Sequence, residues 1–206
     1  MQWSHPGSLG IHLGVLVSGI LIGVFLSGRV GGQDLSDFTQ GSQELLDDLV
    51  AKDAIQEQIY NYARGLDRMD KELAYQVWHP DGTAHYIGSY EGTGRGLVDS
   101  VWSYHETLVA HSHQITNVLI EVDGNDAVSE SYVMASLHAN PAENRATTRL
   151  YRSRYADRWS KRDGRWAIER RVAIGDFMTE NKGSGPNQPT EGRRDRTDPS
   201  YEIYPH

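Results

Sequence analysis

The sequence predicts an α+β domain in which N-terminal helices cover one face of a curved, mostly antiparallel sheet and enclose a pocket. Two observations support this fold class. Apolar residues recur at helical spacing in the first part of the domain, whereas long strand-like segments fill the second part. Asp-Gly turns join those segments in pairs, which is typical of antiparallel hairpins. Helices followed by a run of strands indicate an α+β domain with its helices on one side of the sheet.

Three helices are predicted before the main sheet. Their apolar positions recur at intervals of three and four and are, in order, Ile55, Ile59, Tyr62 and Leu66; Leu73, Ala74, Val77 and Trp78; and Leu97, Val101, Tyr104 and Leu108. The second helix is expected to stop at the turn-forming run His79-Pro80-Asp81-Gly82. A short strand over 83–87 should then precede the third helix.

Four long strands follow the helices. They are predicted over 114–122, 127–139, 147–160 and 165–173. The first two flank Asp123-Gly124-Asn125-Asp126, and the last two flank Lys161-Arg162-Asp163-Gly164. Two hairpins therefore make up most of the sheet.

Length and composition limit the class of protein. The 206 residues suit one domain with tails, which we place at 45–180, after an apolar segment over 1–30 and a linker over 31–44 and before a mobile tail over 181–206. A net charge of −8 argues against nucleic-acid binding. Cysteine is absent, so any catalysis must use oxygen or imidazole groups.

The apolar N-terminal segment has three interpretations. Residues 13–28 carry no charge, but they are fewer than the roughly 20 apolar residues that cross a bilayer. No Lys or Arg precedes them, as one would precede a secretory signal. A membrane anchor, an export signal and a stretch upstream of the true translation start all stay open. We expect any membrane contact to involve residues 11–28 alone and the domain itself to be cytoplasmic.

Asp67 and His113 are the candidate catalytic pair. Asp67 ends the first helix and His113 lies at the start of a strand, so a helix packed on the sheet can bring both into one pocket. A carboxylate beside an imidazole makes a base poised near neutral pH. The plainer interpretations are a helix-end carboxylate with a local hydrogen bond and a histidine on the sheet surface.

An ordered set of local patterns resembles the SnoaL-like family of the nuclear transport factor 2 superfamily, over about 45–177. The patterns are Tyr62-Ala63-Arg64-Gly65-Leu66-Asp67 with Asp70, Pro80-Asp81-Gly82, Tyr90-Glu91-Gly92, His113 with Asn117, Val122-Asp123-Gly124, Arg154-Tyr155-Ala156-Asp157 and Asp163-Gly164-Arg165-Trp166. The resemblance implies a cone-shaped fold around one deep pocket, often in a homodimer or homotrimer. It does not by itself imply catalysis.

Within that family, Tyr104-His105-Glu106-Thr107 with His113, Asn117 and Asp67 looks most like lindane dehydrochlorinase and, more distantly, scytalone dehydratase and bile-acid dehydratase. These enzymes use a His-Asp pair without metal or cofactor. The resemblance therefore implies that His113 is the general base, that Asp67 orients it, and that the ligand is a small molecule. His111 and His113 without a third ligand are a weak zinc signal, so we expect no metal.

Further candidates concern substrate binding. Tyr62, Tyr86 and Trp102 are candidate pocket walls, although such residues are more often core. Asn117 should share a strand face with His113, because an even number of residues separates them. Arg154, with Arg158, is a candidate for an assisting basic group. Other arginines are interpreted as a solvated face or as interface ion pairs, namely Arg149, Arg152, Arg170 and Arg171.

The predicted function is a cofactor-independent lyase. His113 would remove a proton while water, halide or formaldehyde leaves a small, largely apolar, aromatic or cyclic substrate. An isomerase with the same pair and a non-catalytic ligand-binding module of the same fold are the alternatives.

Overall fold

The computed structural model describes residues 29–30, 33–139, 147–183 and 191–204. The predicted apolar segment, apart from residues 29 and 30, lies outside the described residues. The chain divides into two compact units, Met1–Ser42 and Gln43–His206. Among the described residues, no helix is both long enough and apolar enough to cross a membrane.

The first unit contains a short antiparallel pair and the start of a long helix. The pair is β1 (Arg29–Val30) and β2 (Gln33–Asp34), and the helix is α1 (Leu35–Asp67). The linker predicted over 31–44 is therefore helical from residue 35 onward. The linker was predicted from the polar, glycine-containing composition of this stretch, and such a composition does not exclude a helix.

The second unit holds the remaining helices and a six-stranded sheet. Its elements after α1 are α2 (Lys71–Gln76), β3 (Trp78–Tyr86), β4 (Tyr90–Thr93), α3 (Gly94–Glu106), β5 (Leu108–Asp123), β6 (Asp126–Ala139), β7 (Thr147–Arg162), β8 (Arg165–Lys182) and a 3-10 helix (Pro199–Glu202). This order confirms the predicted α+β class.

The sheet is mostly antiparallel, as predicted. Its strand order is β4-β3-β8-β7-β6-β5, and among these pairs only β3 and β8 run parallel. Both predicted hairpins are present. The turn glycines Gly124 and Gly164 have φ angles of 60° and 78°, and Asp163 has a φ of 52°. Such left-handed angles are what tight hairpin turns require.

The prediction of a turn at His79-Pro80-Asp81-Gly82 is wrong, because these residues lie within a strand. These residues belong to β3, whose pairing with β8 shifts in register between Trp78 and Thr83. The turn-forming residues occupy that irregular stretch, where β8 holds the chain in the sheet. Trp78, predicted as helical, is fully buried as the first residue of β3.

The apolar face of α1 positions the site. Ile55, Ile59, Tyr62 and Leu66 are each at most 3% exposed and pack in one core with residues of β3, β7 and β8. Burying one such side chain is worth about 1.5–3 kcal/mol. Because this face is fixed against the sheet, the last turn of α1 has a defined place beside the start of β5.

Candidate active site

Asp67 and His113 are joined by side-chain and backbone hydrogen bonds. His113 Nδ1 lies 2.7 Å from Asp67 Oδ1. The backbone N–H of His113 also donates to Asp67, at 2.8 Å from Oδ2 and 3.1 Å from Oδ1. The Asp67 side chain is only 15% exposed and that of His113 only 7%. These hydrogen bonds thus hold the end of α1 against the first half of β5.

The geometry determines which nitrogen of His113 is basic. An ionised carboxylate only accepts hydrogen bonds, so Nδ1 must carry the hydrogen that points at Asp67. In neutral imidazole the lone pair then lies on Nε2. This is the arrangement in which a carboxylate orients a histidine for proton abstraction.

Two further histidines lie beside His113. The His105 ring is 4.5 Å from that of His111 and 5.6 Å from that of His113, measured between ring centres. Burial, with smaller contributions from the neighbouring imidazoles and Arg194, lowers the pKa of His105 to about 3. Burial also lowers the pKa of His111. Both rings are therefore neutral at pH 7 and add no positive charge beside His113 and Asp67.

A cavity of about 270 Å³ opens beside the pair. Its lining residues are Tyr60, Ala63, Arg64, Asp67, Arg68, His113 and Ile115. Two of them, Arg64 and Arg68, are cationic groups that the sequence analysis did not assign to the site. Arg64 stands three residues before Asp67 on the same helical face, a signal that could have found it. Arg68 follows the last residue of α1, so helical spacing gave no such signal for it.

Tyr62 and Tyr86 lie in the aromatic core and not among the residues that line this cavity. Their hydroxyl oxygens are 3.4 Å apart, and burial raises the pKa of both phenols. The guanidinium carbon of Arg171 lies 4.6 Å from the ring centre of Tyr62 and 4.0 Å from that of Tyr155. These contacts stabilise a buried cation against aromatic faces.

The interpretation of Arg171 as a solvated or interface arginine is wrong. Its side chain is fully buried and forms two hydrogen bonds with the equally buried Asp157, at 2.7 and 2.8 Å. The paired carboxylate accepts from Nε and Nη2, while the buried Nη1 has no hydrogen-bond partner among the described residues and lies among the aromatic rings. Strand position alone did not reveal this, because the partner lies on the adjacent strand.

The three other predicted binding residues lie outside the cavity lining. Arg154 is paired with Glu130 and Asp176. Because Tyr155 points into the core, the alternation of β7 places Arg154 on the outer face, so assigning it to the pocket was wrong. Trp102 packs near Lys71, whose Nζ is 5.7 Å from its ring centre.

Asn117 occupies a β-bulge. Its φ is 47°, the pairing of β5 with β6 shifts between Thr116 and Leu119, and the residue is exposed. A bulge inserts an extra residue into one strand and interrupts regular alternation. The even spacing from His113 therefore does not place Asn117 at the cavity.

The fold and the carboxylate-histidine site define an α+β protein with a curved sheet and a pocket beside its first helix. The chain belongs to the SnoaL-like domain family, whose model matches residues 47–172. Among curated proteins, none is significantly similar to it in sequence.

Several solved structures share the fold. A putative scytalone dehydratase from Novosphingobium aromaticivorans is 22% identical, with a TM-score of 0.57 over 69% of this chain and 97% of that one. The hexachlorocyclohexane dehydrochlorinase LinA-type3 from Novosphingobium barchaimii is 19% identical, with a TM-score of 0.60 over 68% and 97%. A protein of unknown function from Mycobacterium tuberculosis is 24% identical, with a TM-score of 0.53 over 66% and 75%.

Proposed function

We propose that this protein is a cofactor-independent lyase in which His113 and Asp67 remove a proton from a small cyclic or aromatic substrate. The observation that carries the proposal is the 2.7 Å contact between His113 Nδ1 and Asp67 Oδ1 at the edge of a cavity. A positioned base of this kind contributes about 10²–10⁴-fold to the rate of a proton transfer.

The elimination balances without a further reactant. His113 Nε2 takes a proton from a substrate carbon, the C–H electron pair forms the new double bond, and the leaving group departs with its own bonding pair. The imidazolium then returns the proton to hydroxide or to solvent. For formaldehyde, Nε2 takes a hydroxyl proton, the carbon–carbon bond breaks, and the resulting carbanion is protonated. Asp67 stabilises the imidazolium throughout.

The cavity favours a small molecule that carries a polar leaving group. About 270 Å³ lies below the range of about 300–1,000 Å³ that suits drug-sized ligands, so a single ring fits best. Arg64 and Arg68 provide positive charge beside the dyad. A departing halide or hydroxide, or a developing oxyanion, gains stabilisation from such cations.

An isomerase would use the same base and return the proton to a second carbon of the substrate. A ligand-binding module is the other alternative, favoured by one observation. The interior next to the cavity is filled by buried aromatic side chains, including Tyr62, Trp78 and Tyr155. A binding module tolerates an interior filled in this way, because it needs only a cavity that holds its ligand. A lyase also needs His113 as its base.

The test is turnover by the full chain on aromatic diols, hydroxylated polyketide-like rings and chlorinated cyclohexanes, followed by product mass. The matched variants are His113→Ala and His85→Ala, the latter removing a half-buried histidine of β3 outside the site. Release of water, hydrogen halide or formaldehyde by the wild type and by His85→Ala, but not by His113→Ala, supports the lyase. A product of unchanged mass indicates the isomerase, and ligand retention by both variants without turnover indicates the binding module.

A further inference from the structure

We infer that Arg194, carried by the C-terminal segment 191–204, is a positioning residue for the Asp67 and His113 pair. The inference rests on the proposed function for its effect on turnover, but the contacts that carry it are independent of any substrate. They form a relay from Arg194 through His111 to the backbone carbonyl of Leu66, which immediately precedes Asp67.

The segment is anchored to the last turn of α1 and to the residue that caps α2. Arg196 Nη2 is 2.7 Å from Asp70 Oδ2. The Arg64 guanidinium lies 4.8 Å from the ring centre of Tyr201 and donates to the backbone oxygen of Tyr204 at 3.2 Å. The segment thus contacts Arg64, which lines the cavity. The mobility expected for residues 181–206 remains a prediction that these contacts do not test.

Asp198 organises the segment internally. Its carboxylate is buried and accepts the backbone N–H groups of Arg193 at 2.8 Å and Ser200 at 3.0 Å. Arg68 Nε lies 3.3 Å from Asp198 Oδ1, an ion pair without the angle of a hydrogen bond. The turn that carries Arg194 is therefore held in a defined conformation beside the second cavity arginine.

Arg194 reaches the junction between α3 and β5. Its Nη1 is 3.0 Å from the carbonyl oxygen of His105, 2.6 Å from that of Leu108 and 3.3 Å from His111 Nδ1. Nη1 carries two hydrogens for these three acceptors. The longest contact, with His111 Nδ1, therefore shares its hydrogen with one of the two carbonyl oxygens. A guanidinium only donates, and Nδ1 of His111 must therefore be the acceptor.

The opposite nitrogen of His111 completes the relay. Its Nε2 is 2.8 Å from the carbonyl oxygen of Leu66, which only accepts, so Nε2 carries the hydrogen. Arg194 and Leu66 thus select the same tautomer of His111 from its two sides. His111 lies two residues before His113 on β5, and Leu66 lies one residue before Asp67 on α1. The relay therefore fixes the distance between the elements that carry the dyad.

Loss of Arg194 should let the distance between the elements that carry Asp67 and His113 vary. Without the guanidinium, Nδ1 of His111 loses its donor, and the His105 and Leu108 carbonyls lose a partner. His111 can then adopt the other tautomer and release Leu66. A dyad displaced by a fraction of an ångström binds substrate normally but abstracts its proton more slowly. We expect kcat to fall at least tenfold in Arg194→Ala, with KM changed less than twofold.

The experiment is ¹⁵N NMR of the histidine side chains in the full chain, for the wild type, Arg194→Ala and Arg193→Ala. Arg193 is the exposed neighbour in the same turn. Wild type and Arg193→Ala should show His111 protonated on Nε2 and His113 on Nδ1. Arg194→Ala should show mixed protonation of His111 and faster exchange of the His113 Nδ1 hydrogen. If Arg194→Ala does not fold, Arg194→Gln, which keeps a neutral NH₂ donor group, should show smaller changes of the same kind.

Unchanged tautomers and unchanged exchange in a folded Arg194 variant would overturn the inference. So would a turnover loss in which KM rises and kcat does not fall. If the NMR changes appear but no substrate is turned over by the wild type, the relay stands and the lyase proposal fails. The two ideas therefore fail by different observations.

Discussion

Asp67 accepts hydrogen bonds from both the ring and the backbone N–H of His113. One carboxylate thus fixes the position of the β5 backbone and the tautomer of the imidazole that projects from it. A substitution at residue 67 can keep one of these roles and lose the other, so mutation can separate the two roles.

Asp67→Asn should abolish most turnover while the fold survives. The amide oxygen can still accept the His113 backbone N–H, but the NH₂ group facing Nδ1 forces the hydrogen onto Nε2, the nitrogen that must act as base. We expect kcat to fall by about 10²–10⁴-fold. The measurement is kcat on the substrate found in the panel, with circular dichroism to confirm the fold.

The double variant tests whether the two residues act as one unit. Asp67→Asn combined with His113→Ala should be no slower than His113→Ala alone, because groups that act together are not additive. Asp176→Asn, which changes a carboxylate paired with Arg154 on the outer face, should keep wild-type turnover. Independent, multiplying losses at positions 67 and 113 would contradict the dyad.

Gly65→Ala should destabilise the protein and slow it. An added Cβ would lie 2.7 Å from the backbone nitrogen of Ala74, and backbone cannot give way cheaply. Forcing α1 and α2 apart should cost about 1–3 kcal/mol and shift Asp67, two residues away. The measurements are the free energy of unfolding in urea and kcat.

Gly41→Ala is the matched control in the same helix. Apart from the neighbouring backbone of its own helix, no atom of the described residues lies within 4 Å of the position that its Cβ would take, so the change should stabilise the helix by up to about 1 kcal/mol. If both glycine variants shift stability in the same direction, the close contact between Gly65 and Ala74 is not what limits residue 65.

Arg171→Met should be among the most destabilising single changes in the core. It would leave the fully buried Asp157 carboxylate without the two hydrogen bonds that Arg171 donates. Breaking one side of a buried pair costs about 3–5 kcal/mol, whereas replacing both partners by apolar residues is often close to neutral. Arg171→Met with Asp157→Leu should therefore be more stable than Arg171→Met alone, as measured by urea unfolding.

Arg154→Met provides the surface comparison. Arg154 pairs with two carboxylates where Arg171 pairs with one, yet the Arg154 side chain is 28% exposed, and exposed pairs contribute about 0–1 kcal/mol. A loss at Arg154 as large as that at Arg171 would mean that burial does not govern the strength of these pairs.

The sequence predicted elements whose signal is local and missed contacts made between distant strands. The stripe from Ile55 to Leu66 and the hairpins at Gly124 and Gly164 depend on spacing and turn conformation, both visible in a single sequence. The burial of Arg171 depends on Asp157 across a strand pair, and the strand assignment of Trp78 depends on β8. Neither partner is close in the chain, so periodicity could not reveal them.

The candidate site divides in the same way. The family resemblance paired Asp67 with His113, and the structure places their side chains in contact. Asn117 was misplaced because a bulge, formed by a residue with positive φ, interrupts the alternation that was assumed. Arg194 could not be found, because it comes from a polar stretch with no periodicity, and its role arises only from where that stretch lies.

His105→Gln should flatten the dependence of stability on pH. Burial lowers the pKa of His105 to about 3 in the folded protein, against about 6.5 in an unfolded chain. Between these values the unfolded state binds more protons, so the free energy of unfolding falls as pH falls. From pH 7.5 to 5, one such histidine accounts for about 2 kcal/mol, and His111 acts in the same direction. Urea unfolding across that range should show a smaller decline for His105→Gln than for the wild type or for His85→Gln. Parallel curves for all three proteins would mean that His105 is not held neutral by burial.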